Sequence, residues 1–267
     1  MSLEKKYDRL IKNLKDCESV IVAFSGGVDS TFLLKAAFEA LKGKALAVTI
    51  TGELYPPGEM EEAIKLANSI GAEHIMVENQ DLDNPVFASN PPNRCYHCKK
   101  NEYGEILEVA RARGIKVVVD GLNADDLSDY RPGIRAGEEL GVRSPLKDVG
   151  LTKDEIRSLS REFGLPTADK PANPCLASRF PYGTKITLEG LKQVGAAEEV
   201  IRKAGVPLVR VRHHGNLARI EVPAEYIRLV MEKSAEIEKS IRDIGYNYIT
   251  LDLRGYRMGS MNETLEL

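Results

Sequence analysis

No apolar run in this 267-residue chain is longer than a strand. A bilayer-crossing helix needs about 20 apolar residues, so none is expected. The opening Met1-Ser2-Leu3-Glu4-Lys5-Lys6 begins an amphipathic helix and has no secretory apolar core, which places the chain in the cytoplasm as an expectation. Positive charge is not in excess either. A net charge of −3 and a pI near 5.9 argue against a broad footprint for RNA or DNA. With four cysteines the chain is too poor for a disulfide scaffold, and their spacing points to metal chemistry. There is no internal repeat and no low-complexity tract. What is present, 43% hydrophobic and 29% charged residues, suffices for one large or two modest cored domains.

Apolar periodicity predicts helices over 3–16, 29–41, 57–70 (with Pro57 near its first turn), from the end of an irregular loop over 83–94 to about 113, and over 152–163, the last opened by a Thr152/Glu155 capping box. Strands are predicted over 20–24, 45–51, 73–77 and 115–120. This alternation means an α/β fold, a parallel sheet with helices on both faces. Ligands of such sheets sit beyond the carboxyl ends of the strands, here the loops 25–28, 49–54 and 121–129. From about Tyr182 the pattern becomes α+β: a helix over 188–204, a hairpin of 208–213 with 217–222, a helix over 224–244 and a strand over 248–253. Two domains follow, 1–181 and a smaller 182–267.

The loop Ser25-Gly26-Gly27-Val28-Asp29-Ser30 follows the first strand directly. Two glycines let backbone N–H groups close on an anion, the helix N-terminus adds its own, and both serine hydroxyls can donate. It lacks the spacing and the lysine of a Walker A loop. It resembles instead the SGGxDS loop of enzymes that split ATP between its α and β phosphates. Ser25, Gly26, Gly27, Asp29 and Ser30 are candidate ATP and pyrophosphate contacts, joined by Thr49 and Asn123 from neighbouring strand ends. In Gly121-Leu122-Asn123-Ala124-Asp125-Asp126-Leu127-Ser128-Asp129-Tyr130-Arg131-Pro132-Gly133, Asp125 and Asp126 are candidates for Mg²⁺, with helix capping the alternative for each.

Cys95 and Cys98 are three positions apart, and Cys175 is a third candidate thiolate. A structural zinc site would need a fourth ligand, Cys17 or a histidine, and His97 lies inside the chelate. Three cysteines suit a 4Fe-4S cluster with one iron open. A reduced Cys-x-x-Cys or a redox pair remains open. Cys17 reads as packing. Arg210 and Arg212, two apart on a strand, point together and suit a substrate phosphate or carboxylate, or else form a solvated pair. Arg179 is a further candidate for a phosphate, and Glu198, Glu199 and Glu221 for the same cavity, although a solvated helix face explains the first two nearly as well.

Taken together, SGGVDS, PNRCYHCK, GLNADDLSDYRPG, NPCLASRFPYG and VRVRHHGNLARIEV resemble the LarE family over most of the chain. The resemblance implies an ATP-dependent, AMP-forming sulfur transferase of the adenine nucleotide alpha hydrolase-like fold. Its members adenylate the carboxylates of pyridinium-3,5-biscarboxylic acid mononucleotide and convert them to thiocarboxylates for the nickel-pincer nucleotide. Cys175 matches the cysteine that in some members gives up its sulfur and becomes dehydroalanine. Cys95 and Cys98 match members that hold a 4Fe-4S cluster, in which added sulfide spares the protein. The implied partners are the mononucleotide, sulfide or another sulfur donor, and further copies of the chain as a hexamer, with no nucleic acid or membrane. Competing readings are a tRNA-thiolating enzyme of the same loop class, an amide-forming synthetase that leaves the cysteines unexplained, and a non-catalytic ATP-binding sensor.

Overall fold

The structure, a computed structural model, describes residues 1–56, 58–128 and 132–264. In chain order its elements are α1 (Leu3–Lys15), β1 (Val20–Ala23), α2 (Val28–Ala40), β2 (Ala45–Thr51), α3 (Glu59–Ile70), β3 (Glu73–Glu78), α4 (Pro85–Ala88), α5 (Arg94–Arg113), β4 (Val118–Val119), α6 (Gly133–Glu139), α7 (Pro145–Asp148), α8 (Lys153–Glu162), α9 (Leu188–Lys203), β5 (Arg210–His214), β6 (Leu217–Glu221), α10 (Ile227–Glu232), α11 (Ser234–Asp243) and β7 (Tyr248–Leu251). Pro57 and the Asp129-Tyr130-Arg131 part of the fourth-strand motif lie outside the described residues.

The chain divides into two compact units, one of Met1–Gly52, Gly58–Asp81 and Asn93–Asn173, the other of Glu53–Pro57, Leu82–Pro92 and Pro174–Leu267. The second unit thus begins before residue 182. Its extra residues are held within it: the Arg179 side chain pairs with Glu198 of α9, and the Asn90 amide donates to the carbonyls of Phe180 and Pro181 at 3.3 and 2.8 Å.

The first unit carries a parallel sheet of order β3-β2-β1-β4. Val20, Ile21 and Val22 of β1 are wholly buried. Successive strand side chains point to opposite faces, so both faces of the sheet must be covered. On one face Val20, Val22, Ala45 and Ala47 share a core with Phe32, Leu33 and Ala37 of α2, and α1 and α8 pack on α2. α5 packs against β1 and β4. The fourth strand, expected over 115–120, is only two residues long. Its neighbour Arg143 continues the pairing, donating its N–H to Val118 O at 3.0 Å and accepting from Asp120 N at 2.9 Å.

In the second unit β5 and β6 form the expected antiparallel hairpin, and β7 joins β6 in parallel, giving the order β5-β6-β7. The single helix expected over 224–244 is broken. Lys233 leaves the helical region (φ −99°, ψ 13°), and its ammonium donates to Ala204 O at 2.9 Å. The break lets Val230 of α10 and Ile237 and Ile241 of α11 enter one core with Ala197, Ile201 and Tyr246. Among the described residues, no helix is long and apolar enough to cross a membrane.

Candidate functional site

The Ser25–Ser30 loop leaves the carboxyl end of β1 and enters α2. Gly26 takes φ +68°, a conformation that favours glycine, and a Cβ there would stand a tight 3.3 Å from that of Ala63. The loop is folded on itself. The Ser25 and Ser30 hydroxyls lie 3.1 Å apart, Gly27 N donates to Ser25 Oγ at 3.4 Å, and Ser30 Oγ donates to Gly27 O at 3.3 Å. Gly121, after β4, presses on this turn: its Cβ would meet Ser30 N at 3.0 Å.

Asp29 stands in the first turn of α2. Its Oδ2 accepts from Lys153 Nζ at 2.5 Å, whereas Oδ1 is buried with no hydrogen-bond partner among the described residues. Beside it Asn123 organises a turn: its N–H donates to Asp126 Oδ2 at 3.0 Å, and its Oδ1 accepts from Asp125 N at 2.9 Å. Asp125 Oδ2 accepts from Lys153 N at 2.8 Å. The Asn123 and Asp126 side chains therefore build this turn, and the Asp125 carboxylate caps the first turn of α8. Lys170 Nζ reaches Gly26 O at 3.3 Å and the carboxylates of Glu59 and Glu62 at 3.1 and 2.8 Å. The buried, unpartnered Asp29 oxygen is a hard donor of the kind Mg²⁺ takes, so the residues present fit a magnesium–nucleotide complex.

Sequence reasoning missed both lysines. Lys153 had a signal, since a cation at a first helical position opposes the helix dipole and calls for another explanation. Lys170 lies in an irregular segment that carries no pattern.

The Thr49 hydroxyl is committed within the sheet. Its hydroxyl donates to Phe24 O at 2.7 Å and lies 2.7 Å from His74 Nε2. One hydroxyl proton serves one acceptor, so His74 is the donor and carries its proton on Nε2. Thr49 is buried and ties β1, β2 and β3 together, and burial lowers the His74 pKa.

Cys95 and Cys98 occupy the first turn of α5, spaced so that both lie on one face. Cys98 Sγ lies 3.2 Å from Asp81 Oδ2 and 3.1 Å from Glu102 Oε1, its one S–H proton serving one of the two carboxylates, and Asn101 holds the other Asp81 oxygen at 3.0 Å. Burial raises the Asp81 pKa, opposed by the bonds from Asn101 and Cys98. Cys95 is exposed, and none of the four cysteines is in a disulfide. Two thiols one turn apart are donors an iron–sulfur cluster accepts. Cys175, in the second unit, precedes a short turn whose Leu176 N donates to Leu54 O at 2.7 Å.

Arg210 and Arg212 are both buried, which removes the alternative of a solvated pair. Arg212 donates from Nη2 to Glu221 Oε2 and Ser260 Oγ, each at 2.7 Å, and its buried Nε has no partner among the described residues. Arg210 lies over the Tyr256 ring at 5.5 Å. Burial, reinforced by the neighbouring Arg179 charge, pulls its pKa down to about 10. Arg179 is wholly buried, and its donors go to Glu198, Pro174 O, Cys175 O and Ser178 Oγ. Arg179 is thus a strut that fixes the backbone around Cys175. Glu198 and Glu221 are the buried counter-charges, whereas Glu199 is half-exposed and pairs with Arg202 and Lys203. Three buried guanidiniums against two buried carboxylates leave a local excess of positive charge.

Comparison with known proteins adds to this geometry. The NAD synthase family profile matches residues 3–115. The chain is 43% identical over 265 residues to the uncharacterized protein slr1717 of Synechocystis, covering 98% of this chain and 99% of the relative. It is 38% identical over 265 residues to the pyridinium-3,5-bisthiocarboxylic acid mononucleotide synthase of Lactiplantibacillus plantarum, covering 99% and 96%. A tRNA-specific 2-thiouridylase of Rickettsia conorii is 28% identical over 201 residues, or 60% of this chain and 53% of that enzyme.

Proposed function

We propose that this chain, which belongs to the LarE family and has the pyridinium-3,5-bisthiocarboxylic acid mononucleotide synthase among its full-length relatives, performs the same conversion. It is an ATP-dependent sulfur transferase that adenylates each carboxylate of pyridinium-3,5-biscarboxylic acid mononucleotide and replaces one oxygen by sulfur. The observation that carries this reading is the likeness over 265 residues. The thiouridylase match, by contrast, leaves nearly half of that enzyme without a counterpart here, and the acidic pI disfavours an RNA substrate.

In the first half-reaction a substrate carboxylate oxygen bonds to the α phosphorus as the bond to the β-phosphate oxygen breaks. The N–H groups of Gly26 and Gly27 and the hydroxyls of Ser25 and Ser30 stabilise charge on the departing pyrophosphate. Asp29 Oδ1 would hold Mg²⁺, which supplies further charge neutralisation, and Asp125 and Asp126 are proposed as its further carboxylates. In the second half-reaction sulfur bonds to the activated carbonyl carbon and AMP leaves with its oxygen. Arg210 and Arg212 hold the substrate phosphate, converting the attack into a near-unimolecular event. The buried, unpartnered Arg212 Nε supports that role.

We infer that Cys95, Cys98 and Cys175 are ligands of a 4Fe-4S cluster, which when bound would offer sulfide as the nucleophile and spare Cys175. Inorganic sulfide is then the donor. A cytoplasmic setting and a homo-oligomer, a hexamer by likeness to the family, complete the reading. The test is anaerobic iron reconstitution followed by ATP, Mg²⁺, sulfide and the dicarboxylate mononucleotide. Thiocarboxylate formed together with AMP and pyrophosphate supports the proposal, and AMP release without sulfur incorporation overturns it.

A further inference from the structure

We propose that Lys153 is a positioning residue of the ATP site, fixing the Asp29 carboxylate so that Oδ1 is presented to the magnesium ion of the nucleotide. This rests on the reading above that the Ser25–Ser30 loop takes magnesium and ATP.

Lys153 is the first helical residue of α8, after the N-cap Thr152. The positive end of the helix dipole disfavours a cation there, and a lysine on that turn would ordinarily extend into water. Here it turns inward to Asp29 Oδ2 at 2.5 Å, leaving its side chain about a third exposed (34%). The same residue gives its backbone N–H to Asp125 Oδ2 at 2.8 Å, so one residue engages two of the three carboxylates named for the metal. Its base is anchored from the other side. Glu155 closes the capping box with Thr152 and accepts from Lys6 Nζ at 2.6 Å, and Lys6 also reaches Gly150 O at 2.7 Å.

The consequence lies at the other oxygen of Asp29. Oδ1 is buried and without a partner, an arrangement that costs stability unless a ligand supplies the missing contact. A bare carboxylate would also repel the polyphosphate beside it. The ammonium on Oδ2 removes that net charge and fixes the side-chain rotamer, while Oδ1 keeps its lone pairs for a hard cation. An ammonium that merely held the cation's place would occupy the ligating oxygen itself. Instead the two oxygens have separate roles.

The test uses the full chain and an α,β-methylene analogue of ATP, which cannot be cleaved at the reacting bond. Calorimetric binding is measured across a Mg²⁺ series for wild type, Lys153→Met and Lys153→Arg, with Mn²⁺ binding read by electron paramagnetic resonance and folding by circular dichroism. Losing a partner that orients a metal ligand weakens metal affinity about tenfold or more. Lys153→Met should therefore raise the Mg²⁺ needed for half-maximal analogue binding by about that factor, and Lys153→Arg, which keeps the charge, by less. An unchanged or lowered Mg²⁺ requirement in Lys153→Met overturns the assignment. Should the methionine variant fail to fold, Lys153→Gln is read by the same criterion. Wild-type protein that binds no analogue at any Mg²⁺ concentration overturns the ATP reading itself, a different failure.

Discussion

Arg179 and Glu198 meet as a two-pronged ion pair, Nε to Oε1 at 2.7 Å and Nη2 to Oε2 at 3.0 Å, with both side chains wholly inaccessible to water. Glu198 also accepts from Arg202 and from Val211 N, so it joins α9 to β5 and to the turn after Cys175. Removing one partner of such a pair leaves an uncompensated buried charge. Glu198→Ala should lower unfolding free energy by about 3–5 kcal/mol. Replacing both Arg179 and Glu198 by apolar residues should cost less. Urea unfolding of the single and double variants checks both.

Gly26 bears the tightest conformational demand in the loop. Gly26→Ala forces an alanine to φ +68° and pushes its methyl against Ala63. A stability loss of about 1–2 kcal/mol is expected from the left-handed backbone. ATP–pyrophosphate exchange should fall far more than stability does, because the N–H groups that face the anion shift with the turn.

Thr49→Val keeps the shape of the side chain but strips Phe24 O and His74 Nε2 of their partner. Unfolding experiments should show a loss of about 1–3 kcal/mol, with the KM for ATP unchanged. A raised KM would return Thr49 to the nucleotide.

Acid should weaken the fold through its histidines. Burial lowers the pKa of His74, His213 and His214 below the ordinary 6.5. The unfolded chain then binds more protons than the folded one in that window. Stability from these groups is fully present above pH 6.5 and is lost as pH falls through their folded values. The urea midpoint should drop between pH 7 and pH 5, and an NMR titration should place His74 below 6.5.

Arg210 and Arg212 separate binding from activation. Substituting either by alanine should raise the KM for the mononucleotide about tenfold or more, the value of a charge-assisted hydrogen bond, while ATP binding measured without the mononucleotide is unchanged. Steady-state kinetics with each substrate varied in turn distinguishes the two effects.

Much of this was legible in the residues. The β1–loop–α2 corner, the hairpin and the Thr152/Glu155 capping box follow from local signals: an apolar run, a glycine pair, a turn and a side chain three residues on. What local signals omit is the partner. Nothing in the pattern around Arg179 says that Glu198 lies against it, or that Lys153 turns in to Asp29, because long-range ion pairs leave no periodicity. Lys233 broke a helix whose apolar pattern ran on, since tertiary packing of Val230 and Ile237 outweighed propensity.

The most direct test counts sulfur atoms delivered per chain. Iron-reconstituted protein, kept anaerobic with ATP, Mg²⁺, sulfide and the dicarboxylate mononucleotide, should form several thiocarboxylates per chain, each accompanied by one AMP and one pyrophosphate. Cys175 should keep its sulfur by mass spectrometry, and Cys95→Ser should abolish the turnovers. Product limited to one sulfur per chain, with Cys175 converted to dehydroalanine by loss of H₂S, would contradict the account.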